Sequence, residues 1–151
     1  MLTLCTAMGI QLGRDPDKTY ELTTDNVKKM LAVYMRFKCE IPVLIMGETG
    51  CGKTRLIQFM CALQATEAER ISSTAFENIV IMKIHGGTTT RDIIEKVTQA
   101  EKIAEKNAKD FPTLFTVLFL MRLTLQRLLE QSKRSCVTKH LVVNRLNCTR
   151  I

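Results

Sequence analysis

The run IPVLIMGETGCGKT, residues 41 to 54, joins a short apolar segment to a loop of spaced glycines that ends in Lys-Thr. Residues 41–46 are continuous and rich in branched side chains, with Pro42 near the start where a missing N–H is tolerated. They predict a strand buried on both faces. Gly47-Glu48-Thr49-Gly50-Cys51-Gly52-Lys53-Thr54 then meets G-x-x-x-x-G-K-[ST] at each fixed position. The residues that follow, KTRLIQFMCALQ (53–64), contain no breaker and set Leu56, Ile57, Met60 and Leu63 on one face, so a helix is expected. Strand, loop and helix in that order give the motif its physical meaning. Glycines let the backbone adopt positive φ and approach a ligand, so that successive N–H groups form a nest for phosphate oxygens at the positive end of the helix. Lys53 would reach the β and γ phosphates of ATP, and the Thr54 hydroxyl would ligate magnesium.

Working outward, TTDNVKKMLAVYMRFKCE offers a Thr or Asp cap and then Val27, Met30, Leu31, Val33, Tyr34 and Phe37 at helical spacing, which predicts a helix over 24–38. The polar stretch 65–78 reads as a loop or short helix, and IVIMKIH (79–85) as a second buried strand. Gly86 and Gly87 turn the chain, a Thr caps, and Ile93, Ile94, Val97, Ala100, Ile103 and Ala104 make an amphipathic helix over 89–109, ending near Pro112. LFTVLFL (114–120) is the third strand. Alternation of strands and helices implies parallel pairing and an α/β layered fold. The methionines at 30, 35, 46, 60, 82 and 121 fall on apolar faces and read as core filler.

Composition bounds the rest. A chain of 151 residues with 46% hydrophobic and 25% charged residues suits one globular domain. Its longest apolar stretch, Leu114 to Met121, is far shorter than the roughly 20 residues that cross a bilayer, and the N-terminus does not resemble a secretory signal. A cytosolic location is expected. The six cysteines form no CxxC pair and no regular framework, which fits a reducing compartment. The net charge of +7 suggests nucleic-acid binding until it is located: from Leu120 onward seven basic residues face the single acid Glu130, while the preceding residues are close to neutral. The chain therefore divides into a lead-in (1–19), an ATPase-like part (20–119) and a basic tail (120–151).

Hydrolysis of ATP needs an acid at the end of a neighbouring strand to hold the magnesium shell, usually with a second acid that polarises water. After TVLF, where Asp-Glu is wanted at about 120–122, the chain reads Leu120-Met121-Arg122. No intact catalytic residue is expected.

The segments YELTTDNVKKMLAVYMRFKCEIPVLIMGETGCGKTRLIQFM and VIMKIHGGTT, with DFPTLFTVLF further on, resemble the first ATPase module of the mysterin family, giant ring-finger proteins that join AAA-type ATPase units to ubiquitin-ligase activity. The resemblance covers residues 17–119. It implies a P-loop NTPase of AAA type, a three-layer α/β fold here truncated after the third strand, with ATP and magnesium as cofactors. It also implies the other AAA units and the ubiquitination machinery as partners of the parent, and lipid droplets as a site the parent visits. In that family the third strand continues into Phe-Asp-Glu-Ala-Asn. Leu-Met-Arg-Leu-Thr can be encoded TTG ATG AGG CTA ACN, and reading two bases later gives GAT GAG GCT AAC, which is Asp-Glu-Ala-Asn. The acids are present in another frame, so residues 120–151 read as out of frame after loss of one base. In AAA modules the strand before the phosphate loop lies between the fourth and fifth strands. Strand 41–46 is thus expected to lack both partners.

Other readings stand beside this one. A stand-alone phosphotransferase of the nucleotide-kinase kind would use the same loop, with Arg122 or Arg127 clamping a second substrate. A non-catalytic fragment would engage full-length subunits through helices 24–38 and 89–109. Ligase activity has no seat here, since neither a ring-finger array nor a transfer cysteine is in place. Cys51 could be an activated thiol at a helix start, against the plainer role of a small residue that fits. His85 could line a pore or touch a partner, against the role of a strand-end polar cap. Cys136, His140 and Cys148 are too irregularly spaced for a metal site, Asn147-Cys148-Thr149 means nothing in the cytosol, and the basic tail as a nucleic-acid binder is weaker than the wrong-frame reading.

Overall fold

The computed structural model describes residues 2–9, 15–48, 50–72, 76–111, 114–122 and 141–146. Helices α1 (Leu2–Met8) and α2 (Thr24–Lys38) are followed by strand β1 (Val43–Ile45) and helix α3 (Lys53–Ser72). Strand β2 (Ile79–Ile84), helix α4 (Thr90–Asp110), strand β3 (Thr116–Arg122) and strand β4 (Leu141–Leu146) complete the order.

Helix α2 begins where its cap chemistry dictates. Thr23 has extended backbone, and its hydroxyl accepts from the Asn26 N–H, filling one of the orphan donors of the first turn. Its apolar stripe is buried at Met30, Val33, Tyr34 and Phe37. The helix ends in a hydrogen-bonded turn, Glu40 N–H to Phe37 O and Ile41 N–H to Arg36 O, with Glu40 itself at φ 58°. Helix α4 carries a full capping box, in which the Thr89 hydroxyl accepts from the Asp92 N–H while the Asp92 carboxylate accepts from the Thr89 N–H at 2.8 Å. The Thr89 N–H first, and second the Thr89 hydroxyl, which also donates to the Asp92 carboxylate at 2.8 Å, hold the Asp92 carboxyl below its usual range.

The four strands form one sheet in the order β1-β4-β3-β2. β2 and β3 are parallel, whereas β4 runs antiparallel to both β3 and β1. Helices cover both faces. Val43, Val117 and Phe119 point to one side and pack with Leu4, Met30, Phe37, Ile57 and Met60 of α1, α2 and α3. Val80 and Leu118, one residue out of phase, point to the other side and pack on Ala100 of α4. This is the layered α/β arrangement that the alternation of elements predicts, with the three layers that the family resemblance implies. Buried polar groups tie the layers together: Asn78 donates to Cys61 O at 2.9 Å, and Asn107 donates to Glu77 O at 2.8 Å and to the Thr116 hydroxyl at 3.3 Å.

Several expectations are corrected. The strand foreseen over 41–46 is only Val43–Ile45, and the third strand starts at Thr116 and runs on through Arg122. α3 does not stop at 64 but extends to Ser72, because Ala65 and Ala68 continue its buried face under a polar exterior. The lead-in contains α1, whose Leu4, Cys5 and Met8 are buried. β1 does not lack both partners: Leu141–Leu146 pairs along it and fills the slot between β1 and β3. The methionine reading holds for Met30, Met60 and Met82 and fails for Met35 and Met46, which are 55% and 59% exposed. Ile94 also faces outward. Among the described residues, no helix is long and apolar enough to cross a membrane.

Candidate functional site

β1 delivers the chain into the glycine loop, and α3 takes it away. Three glycines hold backbone conformations that a side chain would strain, Gly47 at φ 153°, Gly50 at φ 85° and Gly52 at φ 77°. A Cβ on Gly47 would meet the Cys51 sulfur at 3.4 Å and Lys53 Nζ at 3.7 Å, ordinary contact distances, so it is the backbone angle and not space that favours glycine there. At the start of α3 the Leu56 N–H donates to Gly52 O at 2.9 Å, and the first N–H groups of a helix have no acceptor within the helix itself. Thr49 lies outside the described residues.

Lys53, the first residue of α3, folds back over the loop. Its ammonium donates to Gly47 O at 2.8 Å, to Glu48 O, and to the Cys51 sulfur at 3.1 Å. The positive charge is therefore held against the loop's own carbonyls. Cys51 is exposed and Thr54 half-buried. Gly47, Glu48, Gly50, Cys51, Gly52, Lys53 and Thr54 thus follow one another from the end of β1 into the first turn of α3, with the Lys53 ammonium folded onto the loop's own carbonyls.

Strand register locates the place where acids are wanted. Ile45 pairs with Leu141, Leu141 with Met121, and Met121 with Lys83, so these four residues form one row across the sheet. β1 and β3 are both antiparallel to β4 and so point the same way, two strand spacings or about 10 Å apart. The end of β3 thus lies on the same rim of the sheet as the glycine loop. The residues there are Leu120, Met121 and Arg122. Among the described residues, no cluster of three or more His, Cys, Asp or Glu could hold a metal ion.

Residues 20–136 match the family described as the RNF213 AAA domain. The chain belongs to that family. The chain is 56% identical over 112 residues to the zebrafish (Danio rerio) E3 ubiquitin-protein ligase rnf213-beta, an alignment that covers 74% of this chain and 2% of the relative. It is 53% identical over 116 residues to the human E3 ubiquitin-protein ligase RNF213, covering 77% of this chain and 2% of the relative. The mouse RNF213 gives the same identity over the same length. The chain thus spans about one-fiftieth of the length of the RNF213 relatives it matches. The resemblance to mysterin, which is RNF213, holds, and with it the AAA-type P-loop fold.

Other singled-out residues are placed as follows. His85 is exposed at the end of β2, where its Nδ1 accepts from the Gly87 N–H at 3.2 Å and its own N–H donates to the Thr88 hydroxyl at 3.0 Å. Cys136, His140 and Cys148 lie outside the described residues, as does Arg127. Sequence reasoning missed a cluster beside the loop. Arg55, two residues after Lys53, donates to Asp17 Oδ2 at 2.9 Å and to the Thr19 hydroxyl, and its guanidinium lies 5.9 Å from the centre of the Tyr20 ring. Tyr20 in turn stacks on Phe59 of α3 at 4.7 Å. The Thr19 hydroxyl first, then Arg55, hold the Asp17 carboxyl down to about 2. The partners are 38 residues apart in sequence, and no local pattern announces them.

Proposed function

We infer that this chain is a nucleotide-binding piece of an RNF213-type ATPase module that binds ATP through Gly47–Thr54 and does not hydrolyse it. The observation that carries the reading is the row Ile45–Leu141–Met121–Lys83. The rim that bears the phosphate loop bears no acid at 120–122.

The residues fit a triphosphate. Backbone N–H groups of the loop and the free donors at the start of α3 offer hydrogen bonds to phosphate oxygens, and the Lys53 ammonium, now held by the loop's own carbonyls, supplies the counter-charge. The residues do not fit a catalytic magnesium. Thr54 gives one hydroxyl ligand, and the carboxylate that would order the metal's water shell and the one that would polarise an attacking water are both missing. Lys53 and Thr54 are binding groups in this reading, and no residue serves as a general base.

The tail from 120 to 151 is, in this reading, a translated wrong frame, and the ATPase-like part is 20–119. Ubiquitin-ligase activity, partner AAA units, cytoplasmic location and lipid-droplet association belong to the parent protein. Titration with a fluorescent ATP analogue in the presence of magnesium is the test. Saturable binding that weakens by roughly 10- to 100-fold in Lys53→Ala is expected, the loss of one charge-assisted contact set, together with no release of phosphate. Magnesium-dependent turnover that disappears in Lys53→Ala would overturn the non-hydrolysing half, and absence of any binding would overturn the other. The triple substitution Leu120→Phe, Met121→Asp, Arg122→Glu puts the family's acids on the rim and should introduce phosphate release.

A further inference from the structure

The segment Asp15–Leu22 is built as a chain of local hydrogen bonds with one strong tie to a distant element. Asp17 Oδ1 accepts from the Thr19 N–H at 2.9 Å and from the Thr19 hydroxyl at 2.6 Å, and the Tyr20 N–H donates to Asp17 O at 3.0 Å. Three residues further on, Thr23 caps α2. The far end of the tie is the third residue of α3, Arg55, and one turn later Phe59 receives the Tyr20 ring. The lead-in therefore lies along the first two turns of the helix whose N-terminus forms one wall of the phosphate loop.

We propose that Arg55 is a positioning residue for the phosphate loop, latching the segment Asp15–Leu22 across the start of α3 so that the helix N-terminus and the loop feeding it are held ready for a nucleoside triphosphate. The proposal rests on the nucleotide-binding reading above. Its physical basis is population. A helix end with no intrahelical partners frays, and a ligand that needs it formed binds more weakly by the fraction of molecules in which it is formed. A side chain that fastens a second segment over that end raises the fraction. Because the latch and the ligand favour the same state, nucleotide must tighten the latch as much as the latch tightens nucleotide.

The test uses the full 151-residue chain. Affinity for a fluorescent ATP analogue is measured for wild type, Lys53→Ala, Asp17→Asn, Arg55→Gln and the charge-swapped pair Asp17→Arg with Arg55→Asp. The single variants at 17 and 55 should bind about 3- to 10-fold more weakly, as expected when the competent fraction falls by that factor. The swapped pair should regain most of the loss. Hydrogen exchange of the amides at 15–22 should slow when nucleotide is added to wild type and should not respond in Arg55→Gln. Wild-type binding that is lost in Lys53→Ala but unaltered by the changes at 17 and 55 would overturn the latch and leave the nucleotide reading standing. Failure of the swapped pair to recover, or nucleotide-independent exchange at 15–22 in wild type, would overturn it too. If wild type does not bind at all, both readings fall. Should a variant not fold, the wild-type exchange experiment decides alone.

Discussion

Asp17 is a carboxylate with one-sided surroundings. It accepts three hydrogen bonds from Thr19 and Arg55, which all favour the charged form. Its carboxyl, held down to about 2, should therefore titrate well below the ordinary value of about 3.9. The sign follows from linkage. A depressed folded-state value contributes stability that is complete above about pH 4 and is lost as the pH falls toward 2. An NMR-followed titration should place the midpoint near 2 in wild type, raised in Thr19→Val and raised less in Arg55→Gln, since the hydroxyl contributes more than the guanidinium. An ordinary midpoint in wild type would show that the contacts do not form. The cysteines divide in the same residue-by-residue way. Cys39 and Cys51 are exposed, Cys5 and Cys61 are buried, and burial pushes both buried thiols up. Under native conditions an alkylating reagent should label Cys39 and Cys51 and spare Cys5 and Cys61, and mapping by peptide mass checks it. Labelling of Cys61 without denaturant would contradict the packing of α3.

At the level of elements, the end of α2 holds the most informative strain. Glu40 occupies the left-handed region, φ 58°, where a Cβ costs energy that glycine avoids. Glu40→Gly should raise stability by about 1 kcal/mol, measured as a shift in the urea midpoint with an unchanged slope. A fall in the midpoint would mean that the contacts of the Glu40 side chain outweigh the backbone strain. α2 itself was open to reading from its residues, since the Thr caps and a stripe of large apolar side chains are local signals. The reach of α3 to Ser72 was hidden, because Ala65 and Ala68 bury little area each and leave a weak periodic signal among polar neighbours. α1 has seven residues, too few to show a period. The glycine loop between β1 and α3 was legible by spacing alone, as Gly47, Gly50 and Gly52 take conformations that few other residues adopt. The Arg55 tie was not, for it exists only once α3 and the lead-in have come together.

The molecule as a whole is a sheet closed by its most distant strand. β4 separates β1 from β3 and donates to both, with Val143 opposite Val43 on one side and Phe119 on the other. Strand choice of this kind depends on partners about 25 and 100 residues away, as those paired positions show, and cannot be read from a local window. The parallel pairing of β2 with β3 follows from their crossover helix, whereas the antiparallel entry of β4 follows from no local rule. Val143→Pro removes an N–H in a strand paired on both sides and should abolish cooperative thermal unfolding followed by circular dichroism. A melt indistinguishable from wild type would place Leu141–Leu146 outside the sheet.

That arrangement has a price in time during synthesis. β1, β2 and β3 leave the ribosome before the strand that joins them, and at about 5–20 residues per second the stretch from Arg122 to Leu146 takes on the order of seconds to follow. During that interval the apolar rims of β1 and β3 stand open to any passing extended chain, so nascent polypeptides of this sequence should depend on chaperone capture more than a module closed from neighbouring segments.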